Sequence, residues 1–102
     1  MSQPLNRDTL AAIAPKLAQL TKDVLFEDIW CRPQLSPRDR SLITLAALVA
    51  LERTQQIPWH VAFAERNGVR HDQVVELITH LAFYAGWPAA VSALGCLSEG
   101  EQ

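Results

Sequence analysis

The sequence holds three histidines, His60, His71 and His80, and histidine is the side chain whose ordinary pKa lies nearest neutrality. His60 sits inside "QQIPWHVAFAERNG", residues 55–68. On a helical period it shares a face with Ile57, Ala64 and Asn67. That face is mostly apolar. His60 is therefore either a satisfied polar group of the core or a proton-transfer group looking into a dry pocket. His71 opens the following helix and reads as exposed. His80 follows Glu76 by one turn, an i, i+4 pair that suits a surface contact, but the neighbouring "LAFYAGWP" would also let it face a pocket. In "PRDR", Arg38 and Arg40 flank Asp39 at a helix start. That cluster is either a solvated first turn or a place where one guanidinium grips a carboxylate with two hydrogen bonds.

Other chemistries lack their residues. The glycines, Gly68, Gly86, Gly95 and Gly100, stand as helix punctuation and form no phosphate-binding loop. No H-x-x-x-H or H-E-x-x-H spacing offers a metal site. Cys31 and Cys96, 65 residues apart, make no C-x-x-C pair and read as reduced thiols of a reducing compartment. A net charge of −2 with scattered basic residues gives no footprint for nucleic acid or an anionic membrane. "MSQPLNRDTL" lacks a basic-plus-apolar leader. The longest apolar run, Leu45 to Leu51, is too short to span a bilayer. A cytoplasmic protein of bacterial origin is expected.

The elements that must position these residues are helices. Alanine and leucine supply 14 residues each, whereas valine, isoleucine and threonine together supply 17, a balance that favours helix over sheet. The length suits a single domain over 1–102, all-α, with five to six helices. A first helix is expected from about Asp8 to Lys22, capped by Asn6, with Leu10, Ile13, Leu17 and Leu20 as its stripe. "VLFEDIWCRPQ" makes a short helix or turn that ends before Pro33. Ser36 and Pro37 open the next helix, which runs to about Glu52. Another opens near Gln55 or Gln56, takes Pro58 in its first turn and stops at Gly68. The next runs from His71–Asp72 to Tyr84 or Ala85, ended by Gly86. The last starts at "WPAA" and reaches about Ser98, leaving "EGEQ" frayed.

Two helices are apolar on nearly every side. In "SLITLAALVALE" only Ser41 and Thr44 interrupt the apolar run between 41 and 51, and "WPAAVSALGCL" is similar. Such a helix needs cover on every face, and one small domain buries one such helix centrally but hardly two. Subunits covering each other is the expectation. The alternative is a monomer with a tightly packed, Ala-rich core.

The segments "LSPRDRSLITLAALVAL", "IPWHVAFAERNGV" and "ELITHLAFYAGWPAA" resemble, in order and spacing, the carboxymuconolactone decarboxylase family. The match covers about residues 24–98, with residues 1–23 as a weakly matching N-terminal helix. The resemblance implies an all-α fold like that of the alkylhydroperoxidase AhpD, and homotrimers or homohexamers. The peroxidase branch of this superfamily is similar to E-x11-C-x2-C-x3-H. Counting back from His60 places Gln56 and Arg53 at the cysteine positions and Ser41 at the glutamate, so the dithiol cycle lacks its thiols. The decarboxylase branch lacks the dithiol too.

That branch, by resemblance, turns 4-carboxymuconolactone into 3-oxoadipate enol-lactone with loss of carbon dioxide. The substrate supplies its own electron sink, so no cofactor is required. The protein must supply oxyanion donors and one acid/base group. The resemblance implies His60 as general acid/base, and Arg40 or else Arg38 as the holder of a substrate carboxylate. Trp59, His80, Tyr84 and Trp87 would wall the pocket, with no metal. Glu52 departs from the family's usual glycine at that loop start. Two functions are therefore expected: a cofactor-free lyase acting on a small carboxylated lactone or related aromatic-degradation intermediate, or a non-catalytic oligomeric binding or scaffold protein of the same fold.

Overall fold

A computed structural model describes residues 6–100, with side chains through residue 97. All regular elements among the described residues are helical: α1 (Arg7–Ile13), α2 (Pro15–Leu20), a π-helix (Thr21–Phe26), a 3-10 turn (Ile29–Cys31), α3 (Pro37–Ala50), α4 (Ile57–Arg66), α5 (His71–Leu81) and α6 (Trp87–Gly100). The all-α expectation holds. Glu101 and Gln102, expected to fray, lie outside the described residues. The chain divides into two compact units, Met1–Pro37 and Arg38–Gln102.

In the N-terminal unit the single helix expected from Asp8 to Lys22 is corrected to three segments. Asn6 caps α1 as expected. Its Oδ1 accepts from the Thr9 amide at 2.8 Å, and Thr9 Oγ1 accepts from the Asn6 amide at 2.9 Å. The chain then leaves helix at Ala14 (φ −138°, ψ 73°), because the ring of Pro15 crowds the residue before it and excludes α dihedrals there. Pro15 restarts the helix from its first position. After Leu20 the winding loosens, and the Glu27 amide reaches back five residues to the Lys22 carbonyl at 3.0 Å. Phe26 stacks on Trp30 with ring centres 6.0 Å apart. The chain turns extended at Arg32, as the following Pro33 requires. None of the described elements of this unit carries a buried residue.

The C-terminal unit contains the core. Leu45 and Val49 of α3, Ile57 and Ala64 of α4, Val74 and Ile78 of α5, and Ala90, Ala93, Cys96 and Leu97 of α6 form one buried cluster with Val69. In α3 the buried positions are Ser41, Leu45 and Val49, an i, i+4 stripe. Small residues on the inner face of α6 let it approach α4 and α5 closely. Single-chain packing covers one face of each nearly all-apolar helix. Ile43 of α3, and Trp87, Val91 and Leu94 of α6, remain exposed.

Two helix ends share one device. After α4 the Gly68 amide bonds the Glu65 carbonyl and the Val69 amide bonds Ala64, while Gly68 takes φ +96°. This Schellman closure needs a left-handed residue, for which glycine carries no Cβ penalty. After α3 the same closure recurs, with the Glu52 amide on Val49 and the Arg53 amide on Leu48. Here Glu52 holds the left-handed position at φ 58°. α5 ends at Leu81, earlier than expected, because residues 82–85 close as tighter turns with Phe83 and Tyr84 amides bonding three residues back.

Candidate active site

His60 lies in the second turn of α4, half-buried. Its place follows from the helix wheel. Ile57 and Ala64 point into the core at zero exposure. Trp59, Phe63 and Arg66, at i, i+4 and i+7, form a strip on a different side, spanning about 60° of arc. His60 falls at the border between core and strip. Its imidazole meets the Trp59 indole edge-on, with ring centres 4.8 Å apart. Trp59 and Phe63 stack at 5.0 Å and 30°. The Arg66 guanidinium stands 6.0 Å from the Trp59 ring centre and 5.5 Å from that of Phe63. Burial pushes the His60 pKa below its ordinary value, since a charged imidazolium loses hydration there.

The end of α4 is tied to α3 by a polar contact. Asn67 Nδ2 donates to Ser41 Oγ at 2.9 Å, and Ser41 is only 3% exposed. Asn67 continues the His60 face one turn beyond Ala64, so this bond fixes the rotation of the helix that carries His60. A buried hydroxyl also requires such a partner.

A second concavity runs between α3 and α5. It is an open groove of about 520 Å³ lined by Arg38, Leu42, Ile43, Ala46, Gln73, Glu76, Leu77, His80 and Leu81. His80 stacks on Tyr84, ring centres 4.9 Å apart. The structure thus brings Arg38 and His80 to one groove, and sets His60 against Trp59 on α4. Arg40 is half-buried on the first turn of α3, where its carbonyl accepts from Thr44 Oγ1 at 2.8 Å. Tyr84 and Trp87 are 79% and 71% exposed. Phe63 and Arg66 do not stand out in the sequence by residue type. Their signal is the i, i+4, i+7 spacing from Trp59. The cysteines form no disulfide. Cys31 is exposed, whereas Cys96 is buried and its Sγ donates to the Ser92 and Thr54 carbonyls at 3.4 and 3.5 Å. No helix among the described residues is long and apolar enough to cross a membrane.

The fold defines a class of small all-helical domains. The chain belongs to the carboxymuconolactone decarboxylase family, whose sequence profile matches residues 15–99. It is similar to the 4-carboxymuconolactone decarboxylase of Acinetobacter baylyi, 40% identical over 72 residues, covering 71% of this chain and 54% of that protein. It is also similar to the nitrosuccinic acid decarboxylase of Metarhizium robertsii, 32% identical over 76 residues, covering 74% of this chain and 53% of that protein. The chain spans about half the length of these curated relatives. Decarboxylase names on both support a carboxy-lyase kind of activity in the family.

Proposed function

We propose that this protein is a cofactor-independent carboxy-lyase acting on a small activated carboxylic acid, 4-carboxymuconolactone or a close relative, with His60 as the general acid/base. The reading rests on one observation: an imidazole placed at the edge of an apolar core, half-buried and flanked by an aromatic strip. A partly desolvated imidazole of that kind keeps a proton within reach of a bound ligand.

The reaction asks little else. The bond between the departing carboxylate and the ring carbon breaks. Its electron pair moves through the ring double bond onto the lactone carbonyl, and carbon dioxide leaves. The imidazolium of His60 then gives its proton to carbon and regains one from solvent, so each turnover consumes one proton. In the empty site burial favours neutral His60. A bound anion beside the ring favours the charged form, so the acid is generated when substrate arrives.

The nitro group of nitrosuccinic acid, the substrate named for the fungal relative, would serve as the same kind of sink. That common demand supports an activated carboxylic acid as the substrate class. Self-association as a trimer or hexamer belongs to the same reading. Ile43, Leu51, Phe83, Trp87 and Val91 are each at least half exposed, and a second copy would cover them. The test is direct: His60→Ala should lower decarboxylation of 4-carboxymuconolactone by ~10²–10⁴-fold, the loss typical of a missing general acid/base. Undiminished turnover would remove His60 from the mechanism. A wild-type protein inert towards the lactone and related carboxylates would favour the non-catalytic binding role.

A further inference from the structure

The groove between α3 and α5 carries two opposite charges, Arg38 and Glu76, above an apolar floor. We infer that it is a binding site for an α-amino acid with a large apolar side chain. Arg38 takes the carboxylate, Glu76 takes the ammonium, and the side chain lies on the leucines. The assignment does not depend on the role given to His60.

The floor comes from two helical rows, Leu42 and Ala46 on α3 and Leu77 and Leu81 on α5. The three leucines pack against the buried cluster, so the core holds them in place. At about 520 Å³ the concavity has the size of ordinary small-molecule sites. The rise between residues 38 and 46 is about 12 Å, room for a charged head at one end and a phenyl ring beyond it.

The polar groups have chemistry left over. Arg38 is half-buried, and its stem passes the turn after α4, since a Cβ on Gly68 would lie 4.0 Å from Arg38 Cδ. Gln73 stands in the first turn of α5, and its Oε1 accepts from the Arg70 amide at 3.0 Å. The polar group that Gln73 has left is its NH2, a donor. Among the described residues no ion pair or hydrogen bond joins Glu76 to Arg38 or to His80. A cation and an anion that line one groove without meeting suit a ligand that carries both charges. A plain carboxylate would gain from Arg38 and be repelled by Glu76, and a plain amine the reverse.

The experiment uses the full chain and three probes: L-phenylalanine, 3-phenylpropanoate, which lacks the ammonium, and 2-phenylethylamine, which lacks the carboxylate. Binding is read by calorimetry and by the His80 imidazole resonances. L-Phenylalanine should bind about tenfold or more tightly than either probe, the difference expected of one charge-assisted hydrogen bond. Arg38→Gln should abolish its advantage over 2-phenylethylamine, and Glu76→Gln its advantage over 3-phenylpropanoate. L-Alanine, which keeps both charges and leaves the leucines uncovered, should bind far more weakly than L-phenylalanine. Glu76 is exposed, so Glu76→Gln decides the assignment even where Arg38→Gln loosens the fold. If 3-phenylpropanoate binds wild type as tightly as L-phenylalanine, and tighter still in Glu76→Gln, the groove is a plain carboxylate site and the assignment is overturned. No saturable binding of L-phenylalanine at millimolar concentration, or binding with the same preferences in wild type and Glu76→Gln, overturns it too.

Discussion

At the scale of the residue, His60 is governed by a border position. Turned by about 40° to the bearing of Ala64, it would be a core histidine; turned by about 100° to that of Trp59, which is 45% exposed, it would be solvated. Burial lowers its pKa, and two pH effects follow. If the charged imidazole is the acid, kcat/KM should fall as pH rises through the free protein's pKa, which lies below the ordinary value of about 6.5. The limb for kcat should lie at higher pH, because bound anion raises the same pKa; coincident limbs would exclude this acid. The stability effect has the sign of a depressed folded pKa. The contribution is present above the unfolded pKa and lost as pH falls through the folded one. Urea midpoints at pH 7.5 and 5.5 should therefore differ more for wild type than for His60→Gln. Equal differences would mean that His60 titrates alike in both states.

Residue type and clustering do not by themselves place an arginine. Arg38 and Arg40 attract attention by clustering, yet Arg38 sits in the α3–α5 groove beside Gln73, Glu76 and His80. Arg66 stands alone among alanines and a glutamate, and its rings become visible only when residues 59, 63 and 66 are placed on a helix wheel.

At the scale of the element, helix ends carry most of the local information. Gly68 and Gly86 were readable as stops, and both take positive φ, +96° and +106°. Ser36–Pro37 marked the start of α3, which begins at Pro37. The N-terminal helix breaks before Pro15, where the apolar stripe predicts continuity. A proline at a first-turn position and one that splits a longer apolar stripe look alike when Leu10, Ile13, Leu17 and Leu20 keep helical spacing across it. The π-helix at 21–26 carries no residue-type signal at all.

Glu52 gives the sharpest element-scale prediction. It occupies a left-handed closure at φ 58°, where an L side chain is disfavoured and glycine is not. Glu52→Gly should stabilise the chain by about 0.5–1 kcal/mol, read as a higher urea midpoint at unchanged slope. Unchanged or lower stability would show that the Glu52 side chain compensates for its backbone.

At the scale of the whole molecule, the apolar balance sets the agenda. The C-terminal unit buries one face of α3 and α6 and leaves Trp87 71% and Phe83 82% exposed. Burying apolar area contributes roughly 25 cal/mol per Å², so several large side chains left in water on one small unit favour association. Light scattering should give a mass several times 11.3 kDa at micromolar concentration. Trp87→Glu should reduce that mass while helical content persists, because Trp87 lies outside the buried cluster. A wild-type mass of one chain would reject self-association.

The sequence by itself determined the helical class and most helix boundaries in residues 37–100, because these depend on propensity, capping chemistry and a 3.6-residue period within single segments. Tertiary structure decided the rest. It brought Arg38 and His80 to the α3–α5 groove, tied Asn67 to Ser41 across 26 residues, and turned one face of α6 inward and the other out. Those outcomes depend on which helix faces meet, and that is settled by packing among segments distant in the chain.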